Sequence, residues 1–396
     1  MCADERGVIV YLVGGIVRDL ILGKKNLDLD FIVEGSCSDL AKVLASRLKA
    51  EVQFYPDFQT ATLVLKNGQR IDLAMARKEV YPYSGALPKV EKGNLKDDLF
   101  RRDFSINAMA ISLNRQDFGQ LIDLYGGLKD LQQGKIRVLH EKSFRDDPTR
   151  ILRAVRFEQR LGFSMEPKTL KLLRYALQNR FDKNVKPPRY FNEFKKILKE
   201  AAPLAALKRL KQLKAFGFLN KNLIVDFKSL QQFHHRVTIG WKRYAEILEE
   251  PWLLYFIVLT EKIQTPILLQ VIDNFQLSNR QKEVILDARK LLAKAGELSK
   301  GKLKAHEVYR MLNVFENESI VYLHFRLKRA VVSARIDRYL KKDMFVQLKI
   351  TGNDLKRLGV FGQKIGLLLR EVLDYTIDHG PLTKKQELAV VKRRLL

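Results

Sequence analysis

The chain has 396 residues, of which 46% are hydrophobic and 30% are charged, a composition typical of globular proteins and not of disordered ones. At roughly 150 residues per domain, this length allows two or three domains. Two cysteines, Cys2 and Cys37, are too few for a disulfide scaffold or a thiolate zinc site, so we expect a reducing, cytoplasmic location. The longest apolar run, residues 252–259, is far shorter than the ~20 residues of a membrane helix, and no signal peptide is recognisable. We therefore expect no membrane partner.

The net charge of +27 is distributed unevenly along the chain. Residues 1–140 hold 20 Lys and Arg against 18 Asp and Glu, whereas residues 141–396 hold 52 against 27. An excess of positive charge in one part of a chain predicts a polyanionic partner, and nucleic acid is the usual one. A lysine-rich solvated surface is the alternative that charge alone leaves open.

Residues 1–140 have the pattern of a mixed α/β domain. Apolar residues predict a strand over 8–13, two glycines follow, and a helix is predicted over 16–22. Further predicted elements are a strand over 27–33, a helix over 40–48 capped by Ser36 or Ser38, and strands over 51–55, 60–65, 70–76 and 108–113. Residues 81–93, with two prolines and two glycines, predict a long loop.

After residue 140 the apolar spacing becomes helical. Predicted helices cover 143–161, 167–179, 189–200 and 203–218. Cationic residues follow the later helices; they are Lys290, Lys294, Arg326, Lys328, Arg329, Arg335 and Arg338. An α/β head followed by a basic all-α part is the predicted layout.

Gly14 and Gly15 separate the first predicted strand from the first predicted helix. Glycines at such a turn allow the backbone to approach a ligand closely, and the start of a helix favours a phosphate. A tight turn that binds nothing is the alternative.

Asp28 and Asp30 alternate along the predicted strand 27–33, which places both carboxylates on one face, ~6.6 Å apart at ~3.3 Å per residue. Carboxylates so placed repel each other unless a cation lies between them, and Mg²⁺ prefers such oxygen ligands. Two Mg²⁺ ions can hold a triphosphate and activate an attacking hydroxyl. A solvated strand edge is the ordinary explanation of Asp-x-Asp, but the preceding Gly-Gly turn favours the metal. Asp72 is a candidate third acid or an exposed strand residue.

Asp147 and Arg150 are three residues apart and would share a face of the predicted helix 143–161. A carboxylate accepts from an exocyclic amine, and a guanidinium donates to a ring nitrogen or carbonyl. Cytosine and adenine carry that amine, so the pair would admit CTP and ATP and refuse UTP and GTP. From these two residues alone, a surface ion pair worth a few tenths of a kcal/mol is the preferred explanation. Arg153 and Arg156 would reach a triphosphate or serve as structural cations.

These motifs together resemble a known family. Gly14-Gly15-x-x-Arg18-Asp19 followed by Asp28-x-Asp30 resembles the nucleotidyltransferase head of class II tRNA nucleotidyltransferases (CCA-adding enzymes) and bacterial poly(A) polymerases. Three further segments are similar to the second, third and fourth motifs of that family; they are 101–109 (RRDFSINAM), 123–131 (DLYGGLKDL) and 146–157, in which Asp146 replaces the usual Glu. Arg189 with Glu193 resembles the fifth motif, which steadies the fourth.

The resemblance implies an α+β chain with a polymerase-β-like mixed sheet head (1–138), a helical neck (139–200) and a helical body and tail (201–396). It implies addition of CCA to the 3′ end of tRNA from CTP and ATP without a template, with two Mg²⁺ ions on Asp28 and Asp30. The helical part would hold the acceptor arm by its shape. The implied nucleotide contacts are Gly14, Gly15 and Arg18 near the phosphates, Arg102, Asp103 and Asn107 at the ribose, and Asp147 and Arg150 at the base.

Several alternatives stay open at this point. Some members of the family add only A or only CC, and the loop 81–93 is where they are thought to differ. A poly(A) polymerase is less expected because residues 31–35 lack the basic segment that follows the Asp-x-Asp strand in that enzyme. Intact Asp28 and Asp30 argue against a non-catalytic RNA-binding protein. The tail segments 350–359 and 364–366 would contact phosphate or only cap helices, and we interpret His234 and His235 as ordinary helix residues.

Overall fold

The computed structural model describes residues 2–56, 59–219, 223 and 225–395. The chain divides into two compact units, Met1–Lys221 and Asn222–Leu396. The α+β fold class is confirmed: a mixed sheet comes first and helices follow. The division into head, neck and body at residues 138 and 200 stays a prediction. Within the described ranges, the helices are all too short or too polar to cross a membrane.

The described strands of the first unit are β1 (Ile9–Val13), β2 (Leu29–Glu34), β3 (Glu51–Tyr55), β4 (Thr60–Val64), β5 (Arg70–Met75), β6 (Arg77–Val80), β7 (Lys89–Lys92), β8 (Ala110–Ser112), β9 (Leu121–Ile122), β10 (Lys135–Ile136) and β11 (Ser164–Met165). Seven of them form one sheet in the order β3-β4-β5-β2-β1-β8-β9. In this sheet β2 and β5 are parallel, and the other neighbouring pairs are antiparallel. The helices are α1 (Gly15–Ile21), α2 (Cys37–Leu48), α3 (Leu95–Phe100), α4 (Gly127–Gln132), α5 (Ser143–Asp146), α6 (Arg150–Leu161), α7 (Pro167–Gln178), α8 (Pro187–Leu198) and α9 (Pro203–Gln212).

Two apolar clusters hold the sheet in place. In the first, Leu40 and Ala41 of α2 pack with Val33, Leu63 and Leu73 of the strands. The second packs Leu95 and Leu99 of α3 with residues of β1, β2 and β8. The Ser36 side chain accepts a hydrogen bond from the backbone N–H of Asp39, so Ser36 is the cap of α2. The sheet is thereby fixed under the strand ends that carry the site.

Four predicted elements differ from the structure. The strand predicted over 27–33 begins at Leu29, because the Asn26 side chain accepts from the backbone N–H of Asp28 in a local turn. The helix predicted over 143–161 is two helices, since the residue before Pro148 is pushed out of the helical region; Asp147 has φ −130° and ψ 92°. The loop predicted over 81–93 is also shorter, because β7 pairs with β6. The helix predicted over 203–218 ends at Gln212.

The second unit is helical in all its described secondary structure, as predicted. Its helices are α10 (Phe227–Gly240), α11 (Trp252–Thr260), α12 (Thr265–Asn274), α13 (Asn279–Lys294), α14 (Ala305–Leu312), α15 (Asn317–Arg326), α16 (Ala330–Lys341), α17 (Gly352–Arg357), α18 (Gln363–His379) and α19 (Lys384–Leu395). Buried Trp252, Phe256 and Tyr322 contribute to its core.

Several cations of this unit have internal partners. Arg326 pairs with Glu261 at 2.8 Å, Arg335 donates to the backbone carbonyl of Leu298, and Arg338 pairs with Asp343. A cation that binds an internal partner is less available to a polyanion. The predicted contact with a polyanion is therefore restricted to the cations of these helices that have no such partner. Thr351 and Asp354 form a capping box at the start of α17, which is the helix-capping interpretation of that segment. His234 shares a hydrogen bond with Tyr255, as expected of an ordinary helix residue.

Candidate active site

A cavity of about 850 Å³ opens in the first unit, and its walls come from segments far apart in the chain. The turn between β1 and α1, the start of β2, the segment after α3, and the start of α6 all contribute. The predicted site residues that line it are Gly14, Gly15, Arg18, Asp28, Asp30, Arg102, Asp103, Asn107, Asp147, Arg150, Arg153 and Arg156. Of the residues predicted from the sequence, Asp72 is the exception.

The walls of this cavity are rich in charge. Among the described residues that line it, nine are Lys or Arg and six are Asp or Glu. Such a concave, cationic surface raises the local concentration of anions. The electrostatic potential of this surface favours a polyanionic ligand such as a polyphosphate.

The two aspartates of the Asp-x-Asp motif lie at the start of β2. Asp30 is within the strand, whereas Asp28 precedes it. Burial raises the pKa of Asp30, the charges of Asp72 and Asp28 raise it further, and the Arg102 guanidinium opposes them. The charges of Asp28 and Asp72 therefore both act on Asp30, which lies at the edge of the cavity.

Asp72 lies beside Asp30 on the neighbouring strand. The two residues are register partners in the parallel pair β2 and β5. The Thr62 hydroxyl donates to the Asp72 carboxylate, and both aspartates line a smaller cavity of about 350 Å³. Asp72 is therefore adjacent to Asp30, as a third acid would have to be. Its carboxylate, however, binds the Thr62 hydroxyl and lines the smaller cavity.

Gly14 is favoured by its backbone conformation and by the nearby Arg102 guanidinium. Its φ of +85° lies in the left-handed region, and a Cβ there would lie 3.1 Å from Nη1 of Arg102 and 3.6 Å from Oδ2 of Asp30. A side chain at residue 14 would be strained at this φ and would shift the Arg102 guanidinium slightly, whereas its distance from Asp30 is an ordinary van der Waals contact. The close approach observed at this turn is thus to side chains, and contact with a phosphate stays a prediction.

A continuous hydrogen-bond chain connects the first, second and fourth motifs. Arg18 donates to Asn107 Oδ1 at 2.6 Å, and Asn107 Nδ2 donates to Asp103 at 2.9 Å. Arg153 Nε donates to the other oxygen of Asp103 at 2.8 Å. Burial alone would raise the pKa of Asp103, but Arg153 and Asn107 outweigh it and lower the pKa to about 2. Asp103 is therefore a stable anion that fixes its neighbours.

Asp147 and Arg150 do not share a helix face, which corrects the sequence prediction. Asp147 follows α5 in extended conformation, and Arg150 is the first residue of α6. The Arg150 guanidinium donates to Ser143 Oγ at 2.7 Å and to the backbone carbonyl of Arg101 at 2.6 Å. Both side chains nevertheless reach the same cavity, because Pro148 turns the chain between them.

Residues of the fifth motif contact those of the fourth. Arg189 pairs with Asp147 at 3.0 Å. Glu193 lies 3.5 Å from Arg153 and 3.8 Å from Arg156. Burial lowers the pKa of Arg156, and Glu193 partly offsets that effect. These contacts are what the hypothesis of a steadying fifth motif requires.

Several lining residues were not predicted from the sequence, among them Lys25, Asn26, Glu79, Tyr81, Arg101 and Arg160. Two of them carried a signal, since Arg101 is the first residue of the recognised segment 101–109 and Asn26 lies two residues before Asp28. Glu79 accepts from the Tyr81 hydroxyl at 2.9 Å and from Arg101, but it lies on an edge strand with no motif around it. Only the fold brings that carboxylate to the cavity.

The donor atoms at the edge of the cavity fit magnesium. Within the described parts of the chain, no group of three His, Cys, Asp or Glu side chains is arranged to hold a metal ion by itself. Mg²⁺ is commonly bound through one or two carboxylates together with substrate phosphates. Asp28 and Asp30 supply hard oxygen donors of that kind beside a cationic cavity.

Two known families match the chain. The poly A polymerase head domain matches residues 10–137. The family described as the probable RNA and SrmB-binding site of polymerase A matches residues 162–225. The fold, the site and these two matches thus define the class of protein. In this class a poly A polymerase head domain is followed by the helical RNA-binding segment of the same enzymes.

Comparison with individual proteins narrows this class. The chain is 34% identical over 98% of its length to the A-adding tRNA nucleotidyltransferase of Geobacter sulfurreducens, covering 46% of that relative. It is 37% identical over 91% of its length to the A-adding tRNA nucleotidyltransferase of Aquifex aeolicus, covering 44% of it. The chain therefore spans about half the length of these curated relatives.

Solved structures match along nearly the whole of both chains. The Thermotoga maritima CCA-adding enzyme complexed with tRNA is 34% identical, with a TM-score of 0.74, and the match covers 100% of this chain and 93% of that one. A CCA-adding enzyme in its apo form II is 33% identical, with a TM-score of 0.80 and the same coverage. The chain belongs to the family of class II tRNA nucleotidyltransferases and poly(A) polymerases.

Proposed function

We propose that this protein is a tRNA nucleotidyltransferase that adds the 3′-terminal CCA from CTP and ATP without a nucleic-acid template. One observation carries the proposal: the Asp28 and Asp30 carboxylates lie in the same cavity as a cationic wall and the Asp147 and Arg150 side chains. Acid groups for metal binding, cations for phosphates and a donor–acceptor pair for a base are the parts that template-free nucleotidyl transfer needs.

In the proposed reaction the 3′-hydroxyl of tRNA attacks the α-phosphate of the nucleotide, a new phosphodiester bond forms, and pyrophosphate leaves. Asp28 and Asp30 would hold Mg²⁺, which when bound lowers the pKa of an attacking hydroxyl and neutralises phosphate charge. Arg153 and Arg156 face the triphosphate with a positive field. Both are held by Glu193, so little reorganisation is needed when the nucleotide binds.

Base choice is assigned to Asp147 and Arg150. Asp147 accepts from the exocyclic amine of cytosine or adenine, and Arg150 donates to a ring nitrogen or carbonyl. Uracil and guanine would place a carbonyl against the Asp147 carboxylate, leaving two acceptors facing each other. CTP and ATP are thus accepted by one pair of side chains.

The tRNA partner is proposed from charge as well as from the matched structures. Residues 141–396 hold 52 Lys and Arg against 27 Asp and Glu. An A-form helix is recognised mainly through its shape and backbone. The basic part of the chain is therefore assigned to the acceptor arm.

A direct test supplies three tRNAs, ending before CCA, after C and after CC, each with CTP or ATP alone. Full CCA activity predicts that CTP extends the first two and ATP extends the third. No extension of any tRNA would refute the proposal, and a long A tail would identify a poly(A) polymerase.

Addition of the final A alone is the second candidate function. Two relatives matched over at least 91% of this chain are named A-adding tRNA nucleotidyltransferases. In the same assay, this candidate predicts extension of only the tRNA that ends in CC, and only with ATP. An enzyme that adds CC only would give the complementary pattern.

A further inference from the structure

A buried carboxylate outside the cavity holds two of its arginines. Asp98 lies on α3, has no exposed surface, and is absent from the described lining of the cavity. Its Oδ1 accepts from Nε and Nη2 of Arg101 at 2.9 and 2.7 Å. Its Oδ2 accepts from Nε and Nη2 of Arg102 at 3.2 and 2.9 Å. Each oxygen therefore binds one guanidinium, and both guanidiniums line the cavity.

The Arg102 side of this arrangement lies beside the Asp-x-Asp motif. Nη1 of Arg102 would be 3.1 Å from a Cβ at Gly14, and Asp30 Oδ2 would be 3.6 Å from the same point. Arg102 also reaches the backbone carbonyl of Asn107. Asp98 thus fixes a cation next to a carboxylate proposed to bind the metal.

The Arg101 side leads to the residues proposed to select the base. Nη1 of Arg101 binds Glu79 Oε1 at 2.9 Å, and the backbone carbonyl of Arg101 accepts from Nη2 of Arg150 at 2.6 Å. Arg150 is only 4% exposed, so this carbonyl is one of few partners that set its orientation. Arg150 is therefore oriented by the backbone of the same residue whose guanidinium binds Asp98.

Adjacent guanidiniums repel each other unless an anion lies between them. Asp98 supplies that anion with four charge-assisted hydrogen bonds, which are stronger than neutral ones. Removing one member of a buried ion cluster leaves the remaining charges uncompensated. Without the Asp98 charge, Arg102 would lose its carboxylate partner and Arg101 would keep only Glu79, so the positions of both guanidiniums in the cavity wall would no longer be fixed.

We propose that Asp98 is a positioning residue for nucleotidyl transfer, because it holds Arg102 beside Asp30 and at the same time anchors Arg101, whose backbone carbonyl binds Arg150. It thereby couples the part of the cavity assigned to metal and phosphate to the part assigned to the base. This inference rests on the proposed function, but it assigns a role to a residue that does not touch the substrate.

The test compares Asp98→Asn with Glu158→Gln in steady-state incorporation on the tRNA that the unsubstituted protein extends. Glu158 is the matched control: it is 5% exposed, binds Arg209 at 2.7 Å, and lies outside the cavity lining that is described. For Asp98→Asn we expect the KM of the incorporated nucleotide to rise by about tenfold. We also expect the preference for that nucleotide over UTP, measured as the ratio of kcat/KM values, to fall by about tenfold. For Glu158→Gln we expect lower thermal stability with the KM and the preference unchanged.

A double-mutant cycle separates positioning from general destabilisation. If Asp98 acts through Arg102, adding Asp98→Asn to Arg102→Gln costs less than Asp98→Asn alone. If Asp98→Asn does not fold, Arg101→Lys is the second test. It keeps the positive charge but cannot donate two hydrogen bonds to Asp98 as Arg101 does. We expect it also to lower the preference for the incorporated nucleotide over UTP.

Two outcomes would overturn the inference. One is an Asp98→Asn protein that is folded and has the nucleotide KM and preference of the unsubstituted protein; the other is full additivity in the cycle. Failure of the unsubstituted protein to extend any tRNA refutes the proposed function instead, so the two failures are distinguishable.

Discussion

Arg150 donates to a serine hydroxyl and to a backbone carbonyl, so its guanidinium has little freedom to follow a different base. Asp147 is restrained in the same way, since one carboxylate oxygen accepts from the backbone and hydroxyl of Thr149. Arg189 pairs with the same carboxylate. Preorganised donors and acceptors of this kind reject a mismatched partner because a buried polar group would be left unpaired.

Arg150→Lys keeps the positive charge at the base but lacks the planar pair of donors. We expect the preference for CTP over UTP, measured as the ratio of kcat/KM values, to fall by about tenfold. Affinity for tRNA should change little. Arg174→Lys, at an exposed position of α7, is the control. An unchanged CTP preference in Arg150→Lys would contradict the assignment.

At the scale of elements, the polar side chains at strand and helix ends decide where the site residues lie. The Asn26 side chain accepts from the backbone N–H of Asp28 just before β2 and donates to Asp19 of α1. Asn26 therefore connects Asp28 to α1. The segment between β6 and β7 contacts the fourth and fifth motifs, because the Gly85 N–H donates to the Asp146 carbonyl and Arg189 donates to the Gly85 carbonyl. These contacts position loops that carry no regular structure.

Ser36 and Ser38 were equal candidates for the cap of α2, and the structure selects Ser36. Ser36→Ala should lower the free energy of unfolding by about 1 kcal/mol, because the N–H of Asp39 loses its acceptor. The measurement is urea denaturation followed by circular dichroism. Ser38→Ala, at an equally exposed position, should cost clearly less; equal costs would show that the cap is not confined to Ser36.

Much of the fold and the site was predictable because the signals are local. Alternation located strands that the structure reproduces within two residues at each end. The break at Pro148 was also encoded locally, but helical spacing on both sides concealed it. Contacts such as Arg189 with Asp147, or the approach of Arg102 to Asp30, depend on the folded chain. No periodicity in the sequence could indicate them.

At the scale of the whole molecule, burial and nearby charges lower the pKa of one histidine in each unit. Burial, with Arg150 and Lys142 adding to it, lowers the pKa of His140 to about 4. In the second unit, burial and nearby cations lower the pKa of His324 to about 4. Each unit therefore contains a histidine that stays neutral when folded.

These histidines predict a loss of stability in mild acid. Between about pH 6.5 and pH 4 the unfolded chain binds protons that the folded chain does not, so the free energy of unfolding falls as the pH falls. We expect each histidine to account for about 1 to 2 kcal/mol, allowing for solvent screening. Denaturation at pH 7 and pH 4.5 should show a smaller difference for His140→Gln and for His324→Gln. The exposed His235→Gln protein should follow the unsubstituted one, and an identical pH response in all variants would refute this account.

The uneven charge predicts salt-sensitive binding of tRNA. Contacts between Lys or Arg and phosphates release counterions, so the logarithm of affinity should fall linearly with the logarithm of salt concentration. Filter binding between 50 and 200 mM salt should show a loss of about 10³-fold or more if six or more phosphates are contacted. A flat response would contradict the assignment of the basic helices to RNA.

The most direct test of the central claim measures CTP incorporation into tRNA after metal removal. We predict that chelation stops incorporation by the unsubstituted protein and that added Mg²⁺ restores it. The Asp28→Asn and Asp30→Asn double variant should stay inactive at every Mg²⁺ concentration while binding tRNA with unchanged affinity. Incorporation by that variant at the rate of the unsubstituted protein would contradict the claim that these carboxylates carry the chemistry.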